Sequence, residues 1–443
     1  MSRPDRSHPG MPPALPKPRV VRLPNGLKVL LCERRNLPLV SLWCWYRVGS
    51  VDERPGITGI AHWVEHMNFK GTRRISKEEI LRRIELAGGA WNGYTWLDVT
   101  TYLETFQSSA LEEMLRLEAS RMTECLYAPA EVERERTVVI SEMQGSENDP
   151  RSYLEREVNG TALQAHPYRW STIGYLSDLR AITRDDLQRF YRAHYLPNNA
   201  VLVLVGDFRA ADALKLVRRH FGRIARGPDP PAVRTIEPAQ TGERRVRLRH
   251  PSGADYLQVA YHAPAAADTD LAPMLVLDGI LAGPPSINIW CSRHGAGIGK
   301  ASRLYRALVQ SGLASDASSS LYATRHPYLY SLHATAVRGV SPDRLEEALL
   351  AEVDRLGRGE IDDADLLRAR NQFFTRYALE SDGHGDLAHQ IGFFETIGCL
   401  PVLYDLPRRV AAVTADDVIR VARARLHERR RTIGRLEPEG DAS

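Results

Sequence analysis

The sequence predicts an α+β protein of two homologous domains, each with helices packed on a mixed, largely antiparallel sheet. Short apolar runs typical of strands are interspersed with longer helical segments along the chain. The chain also repeats itself, because the segment from Ala181 to Ala193 closely matches that from Ala412 to Ala424. Both copies begin as helices, with Thr183 or Thr414 as N-cap and an acid three positions on. A repeat offset near half the chain length indicates two equivalent domains.

The domain boundaries are predicted from composition. Residues 226–243 are rich in proline and glycine and lack periodicity, so they are expected to form a linker. Residues 19–225 would then form the N-terminal domain and residues 244–443 the C-terminal domain. Residues 1–18 carry charge and proline without an apolar run, which predicts a disordered tail.

The predicted strands begin with a hairpin. Apolar runs at residues 20–23 and 27–32 flank Pro24-Asn25-Gly26, a turn typical of hairpins. Apolar or alternating runs predict three more strands in the N-terminal domain and two in the C-terminal domain. These runs are residues 40–46, 100–105, 200–205, 256–261 and 328–334.

A predicted helix follows the strand at residues 40–46 and carries His62-Trp63-Val64-Glu65-His66. Histidines four positions apart share one helical face, so both imidazoles can reach one tetrahedral Zn²⁺ beside Glu65. Two surface histidines and a solvated glutamate are the simpler explanation for so short a motif.

A second helix, predicted to begin after Pro129, offers a third ligand. Glu135 and Glu142 lie two turns apart and share a face. Glu142 falls in an apolar stretch, where an unpaired carboxylate would be costly and a metal ion would remove that cost. Solvated acids are the alternative, since the first half of this helix is rich in charge.

These motifs resemble one known family of enzymes. His62-x-x-Glu65-His66, Asn68-Phe69-Lys70-Gly71-Thr72, Asn92-Gly93-Tyr94-Thr95 and Glu142-Met143-Gln144 together resemble the inverzincin metallopeptidases. That superfamily includes pitrilysin, insulin-degrading enzyme and the mitochondrial processing peptidases. The resemblance implies a zinc-dependent endopeptidase that hydrolyses extended peptides or short unfolded polypeptides. It implies one Zn²⁺ per chain held by His62, His66 and Glu142, catalytic roles for Glu65 and Glu135, and substrate binding by Asn92.

Two of the implied roles have explanations in the residues themselves. Glu65, next to a ligand, would accept the proton of the attacking water, while Glu135 would orient a ligand or that water. For Asn92, an exposed strand edge would let an extended peptide add as a further strand. A turn-forming asparagine before Gly93 is the structural alternative.

The C-terminal domain is predicted to be non-catalytic and to form the substrate chamber and subunit contacts. The helix expected in place of the zinc helix, residues 272–282, contains no histidine. When the offset of the repeat is applied to the helix that follows Pro129, Glu135 pairs with Ala369 and Glu142 pairs with Arg376. The same site cannot therefore form there.

One departure from the family pattern concerns substrate binding. Active single-chain members that resemble this protein carry an Arg and, seven positions on, a Tyr in the second half. Here Val309 and Ser315 occupy the corresponding positions, in an alignment that needs a one-residue gap. The resemblance therefore implies a heterodimer with a homologous zinc-free subunit that supplies the pair. The alternative function is a non-catalytic structural subunit resembling the respiratory-complex core proteins, although the intact zinc motif argues against it.

Composition limits the remaining possibilities. A net charge of +4 on 443 residues gives no case for nucleic-acid binding. No apolar run reaches the length of a membrane span. Five scattered cysteines without a Cys-x-x-Cys pair, and an N-terminus without an apolar leader, predict a cytoplasmic protein.

Overall fold

The computed structural model describes residues 10–283, 286–287 and 299–439. It contains two mixed, mostly antiparallel sheets with helices packed on them, which confirms the predicted α+β class. The strands of the first sheet are β1 Arg19–Arg22, β2 Lys28–Glu33, β3 Leu39–Tyr46, β4 Ala90–Thr95, β5 Thr100–Gln107 and β6 Ala200–Gly206. Those of the second are β7 Arg244–His250, β8 Tyr256–Ala263, β9 Ala314–Leu321, β10 Tyr328–Ala336 and β11 Arg431–Pro438.

The two sheets share one topology. The first has the order β1-β2-β6-β3-β5-β4 and the second the order β7-β11-β8-β10-β9. When β1 is left out, the two orders correspond strand for strand. Each sheet has one parallel pair, and it occupies the same position in both: β2 with β6 in the first sheet and β7 with β11 in the second. The repeat in the sequence is therefore also a repeat of the fold.

Fourteen α-helices accompany the strands in the described part of the chain. The matching N-caps are confirmed, because the Thr183 and Thr414 hydroxyls accept hydrogen bonds from the backbone N–H groups of Asp186 and Asp417. The helices before the linker are α1 Ile60–Met67, α2 Lys77–Leu86, α3 Leu111–Glu124, α4 Pro129–Asn148, α5 Pro150–Ala162, α6 Leu176–Ala181, α7 Arg184–His194 and α8 Ala210–Phe221. Those after it are α9 Leu271–Leu281, α10 Pro342–Gly357, α11 Asp363–Leu379, α12 His384–Thr396, α13 Leu400–Ala412 and α14 Ala415–Arg425.

Each sheet is covered on one face by a helix from the other half of the chain. Helix α12 packs on β3 and β6, and α5 packs on β7, β8 and β11. Both contacts are so close that they require glycine. A Cβ at Gly392 in α12 would lie 2.1 Å from Nε1 of Trp45, and one at Gly434 in β11 would lie 2.2 Å from Cγ2 of Val158. The two halves therefore share one apolar core.

The segment predicted to be a linker contains no regular structure. Between Phe221 and Arg244, all of which is described, the chain forms neither helix nor strand. Residues 1–9 of the predicted tail lie outside the described residues, whereas Leu15 is buried in the shared core. None of the described helices is both long and apolar enough to cross a membrane.

We predict that Gly392→Ala destabilises the protein by about 1–3 kcal/mol, because the added methyl group must displace the fully buried ring of Trp45. Urea unfolding measures this loss. The control is Gly145→Ala in α4, where a Cβ would meet no heavy atom within 4 Å. That change should stabilise the helix by up to about 1 kcal/mol. Equal stability of the two variants would contradict the close packing of α12.

Candidate metal centre

Helix α1 is only eight residues long and is fixed at both ends by buried polar groups. Its N-cap, Gly59, has a φ of 87° and offers no side chain. The buried carboxylate of Glu53 instead accepts hydrogen bonds of 2.9 Å from the N–H groups of Gly59 and Ala61. At the other end, the buried Asn68 amide donates to the Tyr102 hydroxyl and accepts from the Tyr127 hydroxyl, each at 2.9 Å. The histidines of α1 thus lie on a helix with little freedom to move.

Helix α4 packs against α1 and brings the predicted third ligand to the same place. Val139 and Met143 are buried on its core-facing side. Glu142 is next to Met143, and its side chain is 43% exposed. Its carboxylate therefore lies at the surface, beside the imidazoles of His62 and His66. The two helices therefore bring together all three of the predicted ligands.

The three side chains converge on one point. Nε2 of His62 lies 3.1 Å from Nε2 of His66, and Oε2 of Glu142 lies 3.9 Å and 3.5 Å from these two atoms. Ligands about 2.1 Å from a tetrahedral ion are about 3.4 Å apart, so the spacing fits Zn²⁺. Among the described residues, this is the one group of three or more such side chains close enough to hold a metal ion.

The protonation state of His62 is suited to metal binding. Burial, reinforced by the neighbouring His66, lowers the pKa of His62 to about 3, so this ring is neutral at pH 7. Nδ1 of His66 lies 2.9 Å from Oε1 of Glu135. When Nδ1 donates its proton to this carboxylate, Nε2 is left with a lone pair facing the other ligands.

Glu135 is not among the converging ligands. It is buried behind His66, and its second oxygen lies 2.6 Å from Nζ of Lys70. Burial would raise the pKa of Glu135, but the hydrogen bonds to His66 and Lys70 outweigh it and keep the pKa below its usual value. An ionised Glu135 holds the ring of His66 in one orientation. For His66, burial works toward a lower pKa, but the bond to Glu135 and the nearby carboxylates bring it above its usual value.

Glu65 lies on α1 between the two histidines in sequence but is not a member of the ligand group. Its carboxylate is buried, and Oε2 accepts a hydrogen bond of 3.2 Å from the hydroxyl of Thr95 at the end of β4. Burial raises the pKa of Glu65 to about 7, against the opposing effect of His66. A carboxyl group with such a pKa can accept and release a proton near neutral pH.

Asn92 lies in β4 and not in a turn, so the turn-forming alternative is wrong. It pairs with Leu103 of β5, and β4 is the last strand of the first sheet. Its side-chain oxygen accepts a hydrogen bond of 2.9 Å from the N–H of Gly93. The alternative failed because Asn-Gly is a strong turn signal, yet Gly93 is needed here to let the strand approach Phe69.

In the corresponding region of the C-terminal half, two helices are in direct contact. Helices α9 and α11 take the places of α1 and α4, and they pack against each other without space for ligands. A Cβ at Gly279 in α9 would lie only 2.9 Å from Cβ of Ala369 in α11. Arg376 bonds to Glu380 one turn on, at 2.6 Å.

Val309 and Ser315 stand at the positions of the Arg and Tyr pair, and neither carries a charge or a phenol group. Val309 is partly buried against the core. The Ser315 hydroxyl in β9 donates to the Thr335 carbonyl at 3.3 Å.

The sequence did not single out Glu53, Lys70 or Thr95, which support the site from outside the ligand group. Lys70 and Thr95 lie inside the motifs quoted above, so motif membership was the available signal. Glu53 precedes α1 by several residues, and only the folded loop brings it to the helix N-terminus.

Comparison with known proteins identifies the family. Residues 28–175 match the family described as insulinase (peptidase family M16), and residues 181–373 match the peptidase M16 inactive domain. The chain is 28% identical to the zinc protease PqqE of Helicobacter pylori, over 96% of this chain and 94% of that protein. It is 27% identical to a probable mitochondrial-processing peptidase subunit beta of Arabidopsis thaliana, over 96% and 79% of the two chains.

Solved structures give the same result for the fold. A protease from Helicobacter pylori aligns with a TM-score of 0.90 at 26% identity, over 96% of this chain and 100% of that one. A chain of complex III₂ from Candida albicans aligns with a TM-score of 0.78 at 17% identity, over 94% and 95% of the chains. At that identity the second likeness concerns the fold alone.

We predict that Glu142→Gln lowers zinc content sharply, because an amide replaces the anionic ligand. Metal analysis after dialysis against a weak chelator measures the retained zinc. Glu133→Gln is the matched control, since Glu133 lies on the same helix and pairs with Arg136 at the surface. Full zinc retention by Glu142→Gln would exclude this carboxylate as a ligand.

Proposed function

This chain belongs to peptidase family M16, and we propose that it is a zinc-dependent endopeptidase acting on extended peptides or short unfolded polypeptides. The observation that carries the proposal is the convergence of His62, His66 and Glu142 on one point beside the buried Glu65. Two imidazole nitrogens and one carboxylate form a ligand set that would leave a fourth tetrahedral position open, as hydrolysis requires.

The residues around the site have distinct roles in this proposal. A bound Zn²⁺ would supply a Lewis acid that polarises the peptide carbonyl and makes water more acidic. Glu65 accepts the proton of the attacking water and passes it to the leaving amine, a task suited to its pKa of about 7. Glu135 fixes the orientation of His66, and Lys70 keeps Glu135 ionised.

The free edge of β4 is the proposed binding site for substrate backbone. One side of β4 pairs with β5, and no described strand pairs with its other side. An extended peptide can add there as a further strand, with the exposed side chain of Asn92 available to bind its backbone. Thr95 of the same strand contacts Glu65, so a peptide on this edge runs past the proposed general base.

The assembly we propose is a heterodimer with a homologous zinc-free chain. Val309 and Ser315 supply neither a cation nor a phenol, so these two positions would not provide that part of the substrate contact. Several relatives are named as beta subunits of a peptidase, which supports a subunit role for this chain as well. The alternative to catalysis is a structural role, and the fold that this chain shares with a chain of complex III₂ is compatible with either. The complete ligand set favours the peptidase.

We predict that Glu65→Gln keeps its zinc and loses at least about 10²-fold in kcat, because the amide cannot accept a proton. Metal analysis and cleavage of an unfolded polypeptide measure the two effects on one sample. Cleavage at the parental rate would exclude Glu65 as the general base. Hydrolysis by neither protein, with full zinc in both and a homologous chain that carries the Arg and Tyr pair present, would favour the structural role.

We further predict that the chain alone cleaves peptides weakly, and that a homologous chain with the Arg and Tyr pair restores turnover. The gain would come from positioning the scissile carbonyl, an effect that can reach several kcal/mol. Size-exclusion chromatography of mixtures should show a heterodimer, and its peak fractions should carry the activity. Full activity of the isolated chain, unchanged by any such partner, would contradict the heterodimer.

A further inference from the structure

The edge strand β4 is held on both faces, and its two faces contact different halves of the chain. On the face toward α1, Thr95 bonds to Glu65, and a Cβ at Gly93 would lie 2.8 Å from the ring of Phe69. Tyr94 points to the opposite face, since side chains alternate along a strand. That face is the one on which α12, from the C-terminal half, lies.

A hydrogen bond joins β4 to α12. The Tyr94 hydroxyl and Nε2 of His389 lie 2.7 Å apart and are separated by 295 residues in sequence. The two rings are stacked, with centroids 6.0 Å apart and planes inclined by 29°. The imidazole end of this bond is completely buried, whereas Tyr94 is half-buried.

The position of His389 is itself fixed by packing. Its ring packs edge-on against Trp43 and Trp45, with centroids 5.3 Å away in each case, and stacks on Phe393 at 5.8 Å. The same helix lies against Trp45 through Gly392, where no side chain fits. His389 is therefore a rigid point from which Tyr94 is held.

We infer that His389 is a positioning residue for the peptidase site. Through Tyr94 it sets the position of β4 relative to α1, and with it the distance between a bound peptide and Glu65. This inference deepens the proposed function and rests on it. The non-catalytic half would thus shape the active site from the far face of the sheet, beyond its part in covering the core.

The physical basis is the weak lateral support of an edge strand. β4 has one strand neighbour, so its position depends on contacts with its faces more than that of an inner strand does. Deleting one partner of a buried hydrogen bond leaves the other unsatisfied, which favours movement of the strand. A displacement of about 1 Å at a reacting centre can lower a rate by about 10².

The variants Tyr94→Phe and His389→Phe test the inference, because both keep an aromatic ring and delete the hydrogen bond. His389→Gln is the rescue variant, since its amide can still bond to a hydroxyl. Tyr330→Phe is the matched control. Its hydroxyl is also buried and bonds to Asp278 at 2.9 Å, but it lies in β10 of the second sheet.

The first measurement is backbone hydrogen exchange in the zinc-loaded protein without substrate. Tyr94→Phe and His389→Phe should raise the exchange rate of the β4 amides about tenfold or more, while Tyr330→Phe should leave it unchanged. The second is peptide cleavage, in which kcat should fall by at least about tenfold with KM little changed and zinc fully retained. The double variant should be no slower than either single variant, because both remove the same bond. His389→Gln should recover part of kcat.

The outcomes separate this inference from the proposed function. The positioning role would be overturned if the β4 amides of Tyr94→Phe and His389→Phe exchanged at the parental rate. It would also be overturned if these amides exchanged faster while kcat stayed at the parental value. Loss of zinc from either variant would also overturn it, since the bond would then support the metal site and not the strand. If the parental protein cleaves no peptide even with a homologous chain that carries the Arg and Tyr pair, the proposed function fails. Hydrogen exchange alone then still decides whether His389 fixes β4.

Discussion

The exchange of helices between the two halves is the constraint on which the rest of the fold depends. The inner face of the first sheet presents Trp43, Trp45 and Val203, and none of the N-terminal helices covers it. Helix α12 does so with Ile391 and Phe393, while α5 covers the second sheet in return. Each large apolar side chain removed from water contributes about 1.5–3 kcal/mol, so neither sheet would be stable with this face exposed.

This shared core explains how two similar halves can differ in chemistry. The duplicated topology fixes where the helices corresponding to α1 and α4 must lie, whatever side chains they carry. In the N-terminal half those helices stand far enough apart for imidazoles and carboxylates to meet between them. In the C-terminal half Gly279 and Ala369 close the same gap by direct contact. Packing is thus satisfied in one half by small residues and in the other by polar groups that converge on a point.

How much of the fold could be predicted from sequence depended on where each strand lies. β3 and β6 are inner strands whose residues are almost all buried, and their apolar runs predicted them. The edge strands β4, β7 and β9 were missed because an edge needs little apolar sequence: β7 alternates arginines with apolar residues, and β9 is rich in serine. The inner strand β11 was missed as well, since Arg431, Gly434 and Arg435 break its apolar pattern.

The same division applies to the site. Spacing along a helix placed His62, Glu65 and His66 together, since they lie within two turns. Contacts made by distant segments were beyond that kind of pattern. The bond between Tyr94 and His389 joins the two halves, and nothing in either local sequence indicates the other residue.

The helix exchange also has a consequence for the order in which the chain can fold during synthesis. The first sheet is complete once β6 has been made, yet its cover, α12, ends only at Thr396. A nascent N-terminal half that has left the ribosome therefore exposes an apolar sheet face while almost half of the chain is still to be translated. Such intermediates are prone to aggregation, so folding in the cell is expected to be late and concerted, with chaperones shielding the sheet until α12 arrives. A fragment ending at the linker would keep the entire ligand set and still lack a soluble fold.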